Sequence, residues 1–99
     1  MYSQEVFGPV ASVFSFSDYD QVTLQANYTE FGLGASVWTQ NSDLAKRLMA
    51  DIDAGSVTHN SVLHSHPAVP FGGIKKSGIG RELGVWGVWE FANHKVYHF

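Results

Sequence analysis

Pro70-Phe71-Gly72-Gly73-Ile74-Lys75-Lys76-Ser77-Gly78-Ile79-Gly80-Arg81-Glu82-Leu83-Gly84 is the stretch on which the reading of this chain turns. A flexible polar linker would not carry Phe71, Ile74 and Ile79, and a core element would not carry glycine at 72, 73, 78, 80 and 84. Both facts fit an ordered loop whose backbone passes close to other backbone or to a ligand. The stretch leads into an aromatic-rich segment that reads as a helix over residues 80–91, where Gly84 and Gly87 imply close packing, since each costs about 1 kcal/mol relative to alanine inside a helix.

Working outward, residues 60–78 form a loop longer than a compact domain keeps without a purpose. Before it, residues 56–59 read as a strand, with Gly55 as the stop of a preceding helix. That helix, capped by Asn41 or Ser42 and running to Ile52, carries an apolar stripe of Leu44, Ala45, Leu48, Met49 and Ile52. Residues 35–39 read as a short apolar strand and residues 27–34 as a turn. An earlier helix starts at Ser17, a good N-cap with Asp20 three residues on, and its stripe is Tyr19, Val22 and Ala26. Residues 10–16 carry apolar groups on both faces, as a buried parallel strand does, and residues 93–99 read as a final strand. The order β-α-β-α-β-loop-α-β predicts an α/β fold with a partial parallel sheet, flanking helices and right-handed crossovers. The long loop leaves a strand's C-terminal end, where open α/β sheets place ligands.

Composition narrows the function. The chain has 99 residues, enough for one small domain at most. Hydrophobic residues make up 44% and charged residues only 15%. That is more apolar surface than one small core hides, which points to neighbours: an oligomer or a larger polypeptide. Net charge is −3 with no basic run, so nucleic acid has no electrostatic footprint. There is no cysteine, which removes disulfides, thiolate metal sites and a cysteine nucleophile from this chain. No apolar run approaches a membrane span, and Met1 to Glu5 show no signal-peptide pattern. The expectation is a cytoplasmic protein with no membrane partner.

Several apparent motifs are discarded. Gly78-Ile79-Gly80-Arg81-Glu82-Leu83 has Leu83 at the third glycine position of a dinucleotide fingerprint, and no strand precedes it. Residues 73–77 lack the Gly-Lys-Ser/Thr ending of a phosphate loop. His64-Ser65-His66 has no carboxylate or cysteine nearby in sequence to complete a metal site, and the two read as solvent-facing loop histidines. His94 and His98 share one face of the last segment and read as sheet-edge residues. No nucleophile elbow supports a serine triad. Asn27-Tyr28-Thr29 matches a glycosylation sequon by chance.

Glu5-Val6-Phe7-Gly8-Pro9 is chemically suggestive. A carboxylate accepts two hydroxyl hydrogen bonds from a ribose, and a phenylalanine two residues on points the same way in an extended chain and packs on a flat ring. The plainer reading is an exposed acid with Phe7 tucked into a core, and these five residues alone favour it.

A resemblance changes that balance. Glu5-Val6-Phe7-Gly8-Pro9 resembles the Glu-Ile/Leu-Phe-Gly-Pro motif of the aldehyde dehydrogenase superfamily, with Val6 a conservative departure. Ala26-Asn27 with Phe31-Gly32-Leu33-Gly34-Ala35 resembles its Ala-Asn…Tyr-Gly-Leu segment. Ala54-Gly55-Ser56-Val57 with Asn60 resembles its Gly-x-Val-x-x-Asn strand, and residues 70–84 resemble its long Pro-Phe-Gly-Gly-x-Lys-x-Ser-Gly-x-Gly-Arg-Glu-x-Gly signature. Block spacing agrees over essentially the whole chain.

The resemblance implies a C-terminal part of an NAD(P)-dependent aldehyde dehydrogenase, with residues 1–92 in the catalytic domain and 93–99 as the oligomerisation strand. It implies that Glu5 binds the nicotinamide-side ribose of NAD or NADP, that Phe7 contacts the nicotinamide region and that Phe71 lines the substrate tunnel. Residues 60–69 then shape the tunnel mouth. The parent would oxidise an aldehyde, first of all a semialdehyde, although no arginine in residues 60–69 supports a carboxylated substrate directly. The family's nucleophilic cysteine, general-base glutamate, oxyanion-hole asparagine and Rossmann domain all lie N-terminal to the Glu-x-Phe-Gly-Pro motif. This chain alone is therefore expected to be inactive, to bind no cofactor tightly and to form a homo-oligomer or join its missing N-terminal part. The alternative is a truncated-gene product that serves as a non-catalytic binding or assembly module, docking on a full-length relative.

Overall fold

The computed structural model describes residues 4–99. Its centre is a β-α-β unit. The second helix, α2 (Ser42–Asp51), lies between two parallel strands, β2 (Gly34–Val37) and β3 (Ser56–His59). These strands pair in the register Gly34 with Ser56, Ala35 with Val57, Ser36 with Thr58 and Val37 with His59. The helix begins where the sequence predicts: Asn41 Oδ1 accepts from the Asp43 and Leu44 amides at 3.1 and 3.0 Å, satisfying two of the orphan first-turn donors. Its apolar stripe faces the strands. Val37, Ala45 and Leu48 are the buried apolar side chains among the described residues.

Gly55 does something other than the expected helix stop. The helix already ends at Ile52, which is extended at φ −80° and ψ 123°. At Gly55 an added Cβ would lie 1.7 Å from the Gly72 carbonyl oxygen. The glycine is required because two backbones cross there.

The first helix, α1 (Tyr19–Asn27), starts one residue later than Ser17 predicts. Asp18 is the N-cap, accepting from the Gln21 amide at 2.7 Å, and Gln21 Oε1 accepts in return from the Ser17 amide at 2.8 Å. This is a reciprocal cap displaced by one position. The α1 stripe buries no side chain fully, and an Asp20–Arg47 ion pair ties the helix to α2.

Two short strands escaped the sequence reading. β1 (Phe31–Gly32) lies in the expected turn and β4 (Ile74–Lys75) in the expected loop. They pair antiparallel, Phe31 with Lys75 and Gly32 with Ile74. A two-residue strand has no periodicity to detect.

Three further expectations need correction. Residues 10–16 form no strand, and Val13 is 89% exposed. Residues 93–99 form no strand either. A strand exists only as one side of a ladder, and neither two-stranded sheet of this chain takes these segments as a partner. The third helix, α3, spans only Gly84–Trp89, because Phe71 and Glu82 exchange two backbone hydrogen bonds of 2.8 Å that hold residue 82 extended. Gly87 does serve close packing: a Cβ there would stand 3.0 Å from the Glu82 carbonyl carbon.

The molecule measures 61 × 33 × 25 Å, with a radius of gyration of 16.8 Å. A compact domain of this length has about 13 Å. Apolar side chains on the flanks, among them Phe7, Val13, Val88, Phe91 and Val96, remain exposed. Among the described residues no helix is long and apolar enough to cross a membrane.

Candidate active-site clefts

The glycine-rich stretch folds into a closed loop whose two stems are Phe71 and Glu82. Inside it, Arg81 Nη1 donates to the Gly73 and Gly80 carbonyls at 2.9 and 2.6 Å. A tight turn follows, in which the Ser77 amide donates to the Ile74 carbonyl at 3.1 Å. No side chain fits at Gly73, where a Cβ would lie 2.5 Å from Ser77 Cβ. The turn reaches across to β1: the Gly32 amide donates to Ser77 Oγ at 2.9 Å. Lys76 holds the same neighbourhood, its amide donating to the Glu30 carbonyl at 2.8 Å and its Nζ lying 2.7 Å from the Glu30 carboxylate.

Two clefts flank this turn, and Leu33 and Ser77 line both. The first has a volume of about 580 Å³ and is bordered by Glu5, the glycines at 32 and 34, Asp53 and Lys76. The second, about 420 Å³, contains Phe71, Ile79, Arg81 and Glu90. The sequence-predicted residues therefore separate. Glu5 stands on the first cleft and half-buried Phe71 on the second, while Phe7 borders neither and is 91% exposed.

The donor chemistry at the first cleft suits part of a nucleotide cofactor. Glu5 is exposed, and among the described residues no hydrogen bond or ion pair engages its carboxylate. A free carboxylate leaves both oxygens to accept hydrogen bonds from ribose hydroxyls. A Cβ at Gly32 would meet Ile74 at 2.7 Å, so position 32 in the cleft wall requires glycine for packing.

The loop histidines remain at the surface. His64 Nδ1 lies 3.2 Å from the Val62 carbonyl, and His66 Nδ1 accepts from the Ala68 amide at 3.2 Å. Among the described residues no three His, Cys, Asp or Glu side chains gather as a metal would require.

Two asparagines carry more of the architecture than the sequence reading assigns them. At the end of β3, Asn60 has φ 50° and clamps Thr39 from both sides: its Oδ1 accepts from the Thr39 amide and its Nδ2 donates to the Thr39 carbonyl, each at 2.9 Å. The side chain thus extends the β2–β3 ladder by one pair. Asn27 does the same at the end of α1. Its Nδ2 donates to the Asp51 carbonyl and its Oδ1 accepts from the Asp53 amide, each at 2.8 Å. Both polar ends of the amide are consumed, so the sequon at Asn27 marks a structural clamp. The sequence signal available was an asparagine at each matched block, a side chain whose donor and acceptor mimic a peptide group.

Comparison with known proteins shows the family and the fold. The model of the aldehyde dehydrogenase family matches residues 1–97. Succinate-semialdehyde dehydrogenase [NADP(+)] 1 of Mycobacterium ulcerans is 50% identical over 96 residues, covering 97% of this chain and 21% of that protein. A probable succinate-semialdehyde dehydrogenase [NADP(+)] of Synechocystis is 49% identical over 95 residues, covering 96% and 21%. Among solved structures, succinic semialdehyde dehydrogenase from Streptococcus pyogenes in complex with NADP+ superposes with a TM-score of 0.90 at 40% identity, over 98% of this chain and 22% of that one. An NAD-dependent aldehyde dehydrogenase from Sinorhizobium meliloti gives 0.90 at 46%, over 95% and 19%. The chain spans about a fifth of the length of the curated relatives it matches. With its signature loop folded and its blocks in family order, the chain belongs to the aldehyde dehydrogenase family.

Proposed function

We propose that this chain works as the C-terminal part of an NAD(P)-dependent aldehyde dehydrogenase that oxidises a semialdehyde to the carboxylate, with NADP as the cofactor. One observation carries the reading. Glu5 and Phe71 line adjoining clefts that share Leu33 and Ser77, so a cofactor end and a substrate end would meet at one wall. The names of the relatives support the semialdehyde and the choice of NADP.

The parent reaction consumes aldehyde, oxidised cofactor and water and yields carboxylate, reduced cofactor and two protons; the bound cofactor supplies the hydride acceptor. Residues of this chain contribute binding and orientation. Glu5 would accept hydrogen bonds from the nicotinamide-side ribose and so fix the distance of the hydride acceptor from the aldehyde carbon. Phe71 would present an apolar face to the aldehyde chain. Phe7 would pack at the nicotinamide region, which requires the remainder of the enzyme to cover it. The chain contains no cysteine, so a thiolate nucleophile must come from the remaining polypeptide. The exposed apolar flanks support assembly with that remainder and with further subunits through residues 93–99.

The test uses this chain alone and the chain joined to the matching remainder of the Mycobacterium ulcerans relative. The chain alone should reduce no NADP+ with succinate semialdehyde, and the joined enzyme should. In the joined enzyme Glu5→Gln should lower turnover at least tenfold, since a lost charged hydrogen bond of about 1.5–3 kcal/mol acts on cofactor placement. Full activity of the chain alone, or an unaffected Glu5→Gln enzyme, contradicts the reading.

A further inference from the structure

Three sequence blocks far apart in the chain converge on one polar cluster. Asn27 comes from the end of α1, Asp53 from the turn after α2 and Lys75 from β4. The Asn27 side chain holds Asp51 and Asp53 by the two 2.8 Å bonds described above. Its own carbonyl accepts from Lys75 Nζ at 3.0 Å, and the same Nζ lies 3.3 Å from the Asp53 carboxylate. The Lys75 side chain is only 26% exposed, and its backbone takes φ 54°, a left-handed conformation that a non-glycine residue rarely adopts. The chain tolerates that strain where it delivers the ammonium into the cluster.

The position of the cluster gives it a purpose. The cleft that Glu5 lines is built from the turn after α1, β1, the turn after α2 and the β4 turn, and Thr29, Asp53 and Lys76 line it from three of these pieces. The β1–β4 ladder joining two of them is only two residue pairs long. Asn27 does not itself line the first cleft, yet it is bonded to the pieces that do. We propose that Asn27, acting through Asp53 and Lys75, is a positioning residue for the nicotinamide-cofactor cleft: it locks the wall of that cleft at the spacing the cofactor needs. This rests on the functional reading above.

The amide is the required group. Aspartate has the same shape but offers no donor to the Asp51 carbonyl and adds a negative charge beside Asp53. In the joined enzyme, Asn27→Asp should raise the calorimetric Kd and the KM for NADP+ about tenfold, the equivalent of one lost hydrogen bond, while KM for succinate semialdehyde stays within twofold. Lys75→Met should shift the same two cofactor constants several-fold, and Lys75→Arg, which keeps the charge, should restore them to within twofold. If Asn27→Asp fails to fold, the Lys75 pair carries the test. Unchanged cofactor constants, or cofactor and aldehyde constants rising together with a lowered melting temperature, overturn the latch. An unsubstituted joined enzyme that binds no NADP+ overturns the functional reading and the latch with it; one that binds normally with indifferent variants overturns the latch alone.

Discussion

Residues 34–60 and the two flanks, 4–16 and 92–99, are comparably apolar, yet only the first is packed. In the β2–α2–β3 unit every strand has a ladder partner, the helix is capped and Val37, Ala45 and Leu48 meet in a small core. In the flanks the same kinds of side chain, Phe7, Val13 and Val96, face outward with no ladder beside them. Hydrophobic pattern alone does not produce a strand. It needs an edge at the right place, and among the described residues neither sheet takes the flanks as a partner.

That contrast is open to breakage, most severely where the packed unit meets the signature loop. Gly55→Ala would drive a Cβ against the Gly72 carbonyl, which is backbone and cannot step aside. Unfolding by urea, followed by near-ultraviolet circular dichroism, should show a loss of about 3–5 kcal/mol or no cooperative transition at all. Leu48→Ala comes next, at about 2–4 kcal/mol by the same measurement, because the cavity opens in the centre of a three-residue core. Asn41→Ala should cost about 1 kcal/mol, the usual loss for an N-cap whose side chain satisfies two amides. At the small end, Val13→Ser should change the stability of the 99-residue chain by less than about 0.5 kcal/mol, as at other exposed sites. If Val13→Ser matched Leu48→Ala, the distinction between unit and flank would fail.

The sequence reading succeeded where a local signal and its partner lie in the same stretch. The bounds of β3, the Asn41 cap and the α2 stripe follow from adjacent residues that pack on each other. It failed at residues 10–16 and 93–99 because a strand's pattern is local while its ladder is not. It missed β1 and β4 because two residues cannot display a period. For the site, the sequence singled out Glu5 and Phe71 as candidates but carried no sign that they lie on two clefts. The Asn27–Asp53–Lys75 cluster was invisible for a different reason. Asn27 and Lys75 fall in matched blocks, but nothing in the sequence shows that the chain brings them to Asp53.

Residue-resolved amide hydrogen exchange on the 99-residue chain and on the joined enzyme tests this account most directly. In the chain alone, amides of β2, α2 and β3 should be protected, while those of residues 10–16 and 93–99 exchange at nearly the rate of an unstructured peptide. In the joined enzyme the same two flanks should become protected, at least a hundredfold slower than before. Flanks already as protected as β3 in the chain alone, or still unprotected in an active joined enzyme, would contradict the claim that these segments are written for neighbours the chain itself does not contain.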